Sequence, residues 1–264
     1  MTSVQPYRRS TIHSNLWLLG LALGIFITSC KSRLTPTYVY GELKQFDTSV
    51  VLHSAEIDAI ITPYRNELEL TMTDTVGYLA RAMVKSRPEG LLGNLTSKML
   101  FDYATTIEPE LDMVVMNHGG LRTPLPSGVI TRSKVFELMP FDNELAIVDL
   151  PIERLPELAR IIAVKGGDPI WIRDEGYLQI GDSSGTFHFP LREGQKMIRI
   201  ATSNYLSNGG DHYTVFRSAP EHGGQIRLQG ILIRDIFMNA FINDSDKDHP
   251  LDADINNIIR SGNE

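Results

Sequence analysis

Apolar positions recur at helical spacing over Ala55–Glu67, AEIDAIITPYRNE, where Ile57, Ile60, Ile61 and Tyr64 share one face. Ser54 stands before them as an N-cap candidate. Residues 70–84 carry β-branched and aromatic positions and read as strand, and SRPEG at 86–90 reads as a turn. The strongest helical pattern is Leu91–Ile107, with Leu92, Leu95, Met99 and Tyr103 on one face. LDMVVMNHGG reads as a buried strand running into a glycine turn. TRSKVFELM is a short helix with Thr131 as its cap, NELAIVDLP a strand, and IERLPELARIIAVKGG a helix closed by Gly166 and Gly167. Several strands are predicted between Trp171 and Thr202, and IRLQGILIRDIFMNAFIN reads as one final amphipathic helix. Helices and strands alternate first and strands cluster later, which predicts a single α+β domain over 51–243. The Asp- and Asn-rich residues 244–264 read as a polar, solvated tail.

The N-terminal stretch follows a different pattern. Arg8 and Arg9 precede the apolar run Leu16–Ile27, and TSC follows it. This is the layout of a secretory signal peptide. The run is shorter than the roughly 20 residues that span a bilayer. The chain has one cysteine, Cys30, and it falls directly after that run. The site resembles a bacterial lipobox, so residues 1–29 are expected to be a lipoprotein signal peptide. Cys30 is then the lipid anchor, 30–50 a tether with a short strand TYVYGEL, and the location a bacterial cell envelope, on the periplasmic side. Net charge is −7, with no basic run carrying interleaved aromatics, which argues against a nucleic-acid partner.

Three glycine or proline turns carry the candidate chemistry. In NHGGLR, 117–122, Gly119 and Gly120 let backbone N–H groups approach a ligand, and Arg122 suits a phosphate or carboxylate. The plain alternative is a tight turn with a surface arginine. In LMPFDNE, 138–144, Phe141 is either a core plug or a half-exposed ring, and taken alone the plug is favoured. In SNYLSNGGDHYTVF, 203–216, Tyr205 precedes Gly209, Gly210 and Asp211. A base stacks on such a ring, and a carboxylate accepts from two ribose hydroxyls. The alternative is a capped turn with Tyr213 and Phe216 packed inward. Together the three turns add up to a nucleotide pocket.

The same residues resemble a known family. NHGGLR, PFDN at 140–143 and NYLSNGGDHYTVF at 204–216 are similar, in order and spacing, to the turns of the C-terminal domain of the 5′-nucleotidase and UDP-sugar hydrolase family. RPEGLLGNL at 87–95 is similar to its helix start. The resemblance spans roughly residues 77–243. It implies that Asn117 and Arg122 meet the phosphate side, with Gly119, Gly120, Gly209 and Gly210 shaping the turns. It further implies that Phe141 and Tyr205 sandwich the base, and that Asp211 binds the ribose hydroxyls. Two positions depart. Tyr205 stands where Phe is usual, and Ser86 stands where some members carry arginine, with Arg87 one step over.

In full-length members the chemistry belongs to an N-terminal metallophosphatase domain with two metals. This sequence has none of its D-x-H, G-D-x-x-D, G-N-H-E or G-H-x-H blocks, and its seven histidines are scattered singly. The resemblance therefore implies no catalytic residue and no cofactor in this chain, with divalent metals on a partner. Two functions are open: the nucleotide-recognising subunit of a split 5′-nucleotidase, or a stand-alone nucleoside- or nucleotide-binding lipoprotein without turnover.

Overall fold

A computed structural model describes residues 54–262. Residues 1–53, and with them the signal peptide, Cys30, the tether and its short strand, lie outside the described residues.

Helix α1, Ala55–Met72, opens the described chain with the Ser54 hydroxyl accepting from the Ile57 N–H at 3.4 Å. It runs further than the periodicity suggested, and strand β1 is only Thr75–Leu79, so the strand expected over 70–84 is shortened at both ends. Glu67–Met72 are leucine-, glutamate- and methionine-containing helix formers, which favour continuing the helix. Helix α2, Leu91–Ile107, matches its predicted span. Strand β2 is Met113–Val115, β3 is Gly128–Thr131, and α3 is Arg132–Leu138. Strand β4 is Glu144–Pro151 and helix α4 is Leu155–Val164. Strands β5 (Ile170–Ile172), β6 (Tyr177–Ile180), β7 (Gly185–His188) and β8 (Met197–Ser203) fill the predicted strand cluster.

Tyr205 lies just past the end of β8 at Ser203. It lies in α5, Asn204–Ser207, a single turn capped by the Ser203 hydroxyl, and α6 follows at Thr214–Arg217. The segment expected to be one last helix divides in two. Gln225–Leu232 is strand β9, and only Ile233–Asp244 is helix, α7. Ile226 and Leu228 alternate with polar residues, so the first half of the segment has a strand period. The solvated tail is also corrected. Ile258 and Ile259 are buried, and β10, Ile259–Ser261, pairs in parallel with β6.

The architecture is α+β, as expected. A five-stranded mixed sheet, ordered β5-β2-β8-β4-β9, divides two cores. Val114, Ile147 and Ala201 face α2 and α7, while Met113, Val148 and Ile200 face α4 and the 206–219 segment. Strands β2, β4 and β8 thus bury both faces by alternation, while the edge strand β9 has no buried residue.

This sheet brings distant turns together. Strand β2 is parallel to β8, so both C-terminal ends lie on one edge. Strands β4 and β5 are antiparallel to their neighbours, with Leu145 opposite Ser203 and Ile170 opposite Val115. The loops after β2 and β8, and those before β4 and β5, therefore share that edge.

Candidate functional site

The residues at this edge are joined by named bonds. Asn117, just past β2, donates its amide to Asp211 Oδ2 at 2.7 Å. The Asp211 N–H donates to the Tyr205 hydroxyl at 3.2 Å. The Glu144 N–H donates to Asn204 Oδ1 at 3.2 Å, tying the Phe141 loop to the Tyr205 turn. Arg122 lies 5.8 Å from the Phe141 ring centre. The structure thus links Asn117, Tyr205 and Asp211 directly, and Arg122 to Phe141.

The glycines act here mainly as packing residues. A side chain on Gly210 would come within 2.6 Å of the Tyr205 ring, and one on Gly120 within 2.9 Å of Asn117 Oδ1. Gly210 lets the ring lie flat over the turn, and Gly120 lets Asn117 fold across to reach Asp211. Asp211 itself adopts a left-handed backbone, φ 54°, which is uncommon for a non-glycine residue. Such local strain is retained where surrounding contacts fix it.

Phe141 is 40% exposed and Tyr205 48%, so Phe141 is no core plug. Tyr213 and Phe216 pack inward, fully buried and stacked at 5.4 Å, as the capped-turn alternative has it. In the last turn one aromatic pair faces in and one ring, Tyr205, faces out.

Sequence reasoning missed Asp168, which is 1% exposed. It accepts from the His118 N–H at 3.0 Å and the Tyr213 hydroxyl at 2.8 Å. Lys165 lies 3.4 Å from it and 3.7 Å from Asp211, and its ammonium sits 4.3 Å from the Tyr213 ring centre. Arg87 reaches within 3.8 Å of Asp168 and also bonds the Lys165 carbonyl. The only cue was Asp168 following the paired glycines at a helix end, which reads equally well as a loop.

The electrostatics follow from this packing. Burial pushes the Tyr213 phenol well above its ordinary value, with the Asp168 charge adding to it. Burial lowers the His118 imidazole, and the Arg87 charge lowers it further. Both groups are therefore neutral near pH 7. The cationic Arg122, Arg87 and Lys165 and the amide of Asn117 give the edge anion-directed donors, with Asp211 the one half-exposed carboxylate among them. Among the described residues, no three or more His, Cys, Asp or Glu side chains gather as a metal-holding set. A groove of about 650 Å³ between α2 and α7 and a cavity of about 810 Å³ beside β5 are lined by other residues.

Comparison with known proteins agrees with this architecture. Residues 71–151 match the family described as 5′-nucleotidase, C-terminal domain. The trifunctional nucleotide phosphoesterase YfkN of Bacillus subtilis is 26% identical over 185 residues, covering 61% of this chain and 12% of that protein. UshA of Yersinia enterocolitica is 21% identical over 182 residues, covering 67% of this chain and 33% of that protein. The chain thus spans a third or less of these two relatives. A 5′-nucleotidase precursor from Thermus thermophilus superposes with a TM-score of 0.63 at 21% identity, over 78% of this chain and 43% of that one. Haemophilus influenzae NAD nucleotidase does so at 0.57 and 15%, over 80% of this chain and 42% of that one. Residues 71–151 thus match the C-terminal domain of the 5′-nucleotidases, and the likeness of fold extends over most of the chain.

Proposed function

We propose that this chain recognises the nucleotide for a metal-dependent phosphoesterase whose metals and attacking water come from a separately encoded metallophosphatase domain. The observation that carries the reading is the convergence of three distant turns at one sheet edge, where they present two exposed rings beside cationic donors. Phe141 and Tyr205 offer stacking faces for a base. Asp211 Oδ2 is occupied by Asn117, which leaves Oδ1 for a ribose hydroxyl. Arg122 can fork onto a phosphate oxygen pair. This chain's contribution is positioning, and the phosphate would be turned toward the partner's metals. A lipid on Cys30 would hold the pair at a membrane surface.

Calorimetry of the full chain with AMP and adenosine tests the phosphate clamp. Arg122→Ala is expected to weaken AMP about tenfold or more, the worth of a charge-assisted hydrogen bond, and adenosine much less. An unchanged ratio of the two affinities removes Arg122 from the phosphate side. The same sample is assayed for phosphate release with added Mn²⁺. Release at a useful rate overturns the split arrangement.

A further inference from the structure

We propose that Arg234 is a positioning residue for Phe141, holding the stacking ring in place before a ligand arrives. This rests on the nucleotide-recognition reading, in which Phe141 meets the base.

Arg234 stands at the start of α7 and is only 8% exposed. Its guanidinium lies 4.3 Å from the Phe136 ring centre on α3. One terminal nitrogen donates to Asp142 Oδ1 at 2.8 Å, and the other reaches the Phe141 carbonyl at 3.5 Å. It therefore fastens α7 to α3 and to the loop between α3 and β4. The neighbouring residues are also held. The Ile233 N–H donates to the Asn143 carbonyl at 2.9 Å, and Glu144 is tied to Asn204 and to the Gly230 N–H. Each residue from 141 to 144 has a bond to another element, yet the Phe141 ring is 40% exposed. An open ring on a segment tied through its backbone at 141, 143 and 144, and through the Asp142 side chain, is a presented ring.

The chemistry of Arg234 argues for that role over plain stability. A buried guanidinium is costly unless well paired. Its one carboxylate partner, Asp142, is 79% exposed, where solvent weakens the attraction. Its Nε is buried without a hydrogen-bond partner. Apolar side chains of similar volume often stabilise a buried site as well as such an ion pair or better. A forked, rigid cation that reaches the Phe136 ring, Asp142 and the Phe141 carbonyl together fixes where the loop stands.

The test is calorimetry of the full chain with AMP and with ribose 5-phosphate, which shares sugar and phosphate but has no base. Phe141→Ala and Arg234→Met are each expected to weaken AMP about fivefold or more, a large part of a stacking contact, and to leave ribose 5-phosphate unchanged. The double variant should bind AMP no more weakly than Phe141→Ala. Asp142→Ala, at an exposed position, should weaken AMP two- to threefold, on the order of a surface ion pair, and only while Phe141 is present. It keeps the test open should Arg234→Met fail to fold. If Phe141→Ala weakens AMP but Arg234→Met and Asp142→Ala do not, or if the losses add, the positioning role is overturned. If Phe141→Ala itself leaves AMP unchanged, the stacking reading falls, and the positioning role with it.

Discussion

Asp168 is buried and holds the His118 N–H, the Tyr213 hydroxyl and the Lys165 ammonium at once. It joins the glycine turn after β2 to the turn after β8, and so sets the distance between Asn117 and Asp211. Asp168→Ala leaves the Tyr213 hydroxyl unpaired in a fully buried site. The expected cost is about 2–4 kcal/mol, read as a shift in the urea midpoint. An unchanged midpoint would show that the hub is dispensable. His118 adds a pH dependence. Its folded pKa is lowered, so the unfolded chain binds the proton more readily. Stability is full above the unfolded imidazole value of about 6.5 and falls as pH drops through and below it. His118→Gln should flatten that acid slope in urea titrations, whereas a slope unchanged by the substitution would assign it to other groups. None of this was visible in NHGGLR or KGGDP. Motif spacing marks where the chain turns, and a buried hub becomes visible only when sheet pairing brings its partners together.

The last third of the chain shows what periodicity does and does not carry at the scale of elements. Ile226 and Leu228 alternate, while Ile233, Ile236 and Phe237 follow a helical spacing, and without a break the longer helical pattern absorbs both. The strand gives way to the helix between Leu232 and Ile233, just past Gly230, which has φ +70°. Gly230 itself lies inside β9, where its pairing with β4 shifts register between Glu144 and Ala146. The C-terminal segment was misread for a related reason, because its Asp and Asn residues suggest solvation while its attachment is long-range. Glu89 makes that attachment, accepting from the Asn94 amide at 2.5 Å and from the N–H groups of Asn256 at 2.8 Å and Ile259 at 3.3 Å. The glutamate in RPEGLLGNL thus has a structural task, clasping the chain's end to the start of α2. Glu89→Ala should raise amide exchange across 256–261 while β2 and β8, with both faces buried, keep their protection. Equal exchange in both variants would mean β10 holds without the clasp. In contrast, α2 and β4 were legible almost to the residue, because their patterns are long and their turns are marked by glycine and proline.

At the scale of the whole molecule, α1 stands apart. Ile57, Ile60, Ile61 and Tyr64 lie on one stripe, as the helical spacing indicated, and Leu68 extends it in the longer helix. Amphipathic spacing implies that a face is covered, yet every one of these side chains is more than 40% exposed, and the helix has no buried residue. Among the described residues nothing covers the stripe, so its spacing tells of a face but not of what meets it. A two-domain arrangement cannot be read from one domain's periodicity. The energetic consequence is definite, because an exposed side chain removed from a helix face costs little. Ile60→Glu with Leu68→Glu should shift stability by no more than about 0.5 kcal/mol per position, checked by thermal unfolding of the full chain. A larger loss would place the stripe inside the fold. With stability unchanged, the same variant separates docking from folding in the proposed split enzyme. Loss of phosphate release on mixing with a metallophosphatase chain, at unaltered AMP affinity of this chain, would then locate the contact on α1.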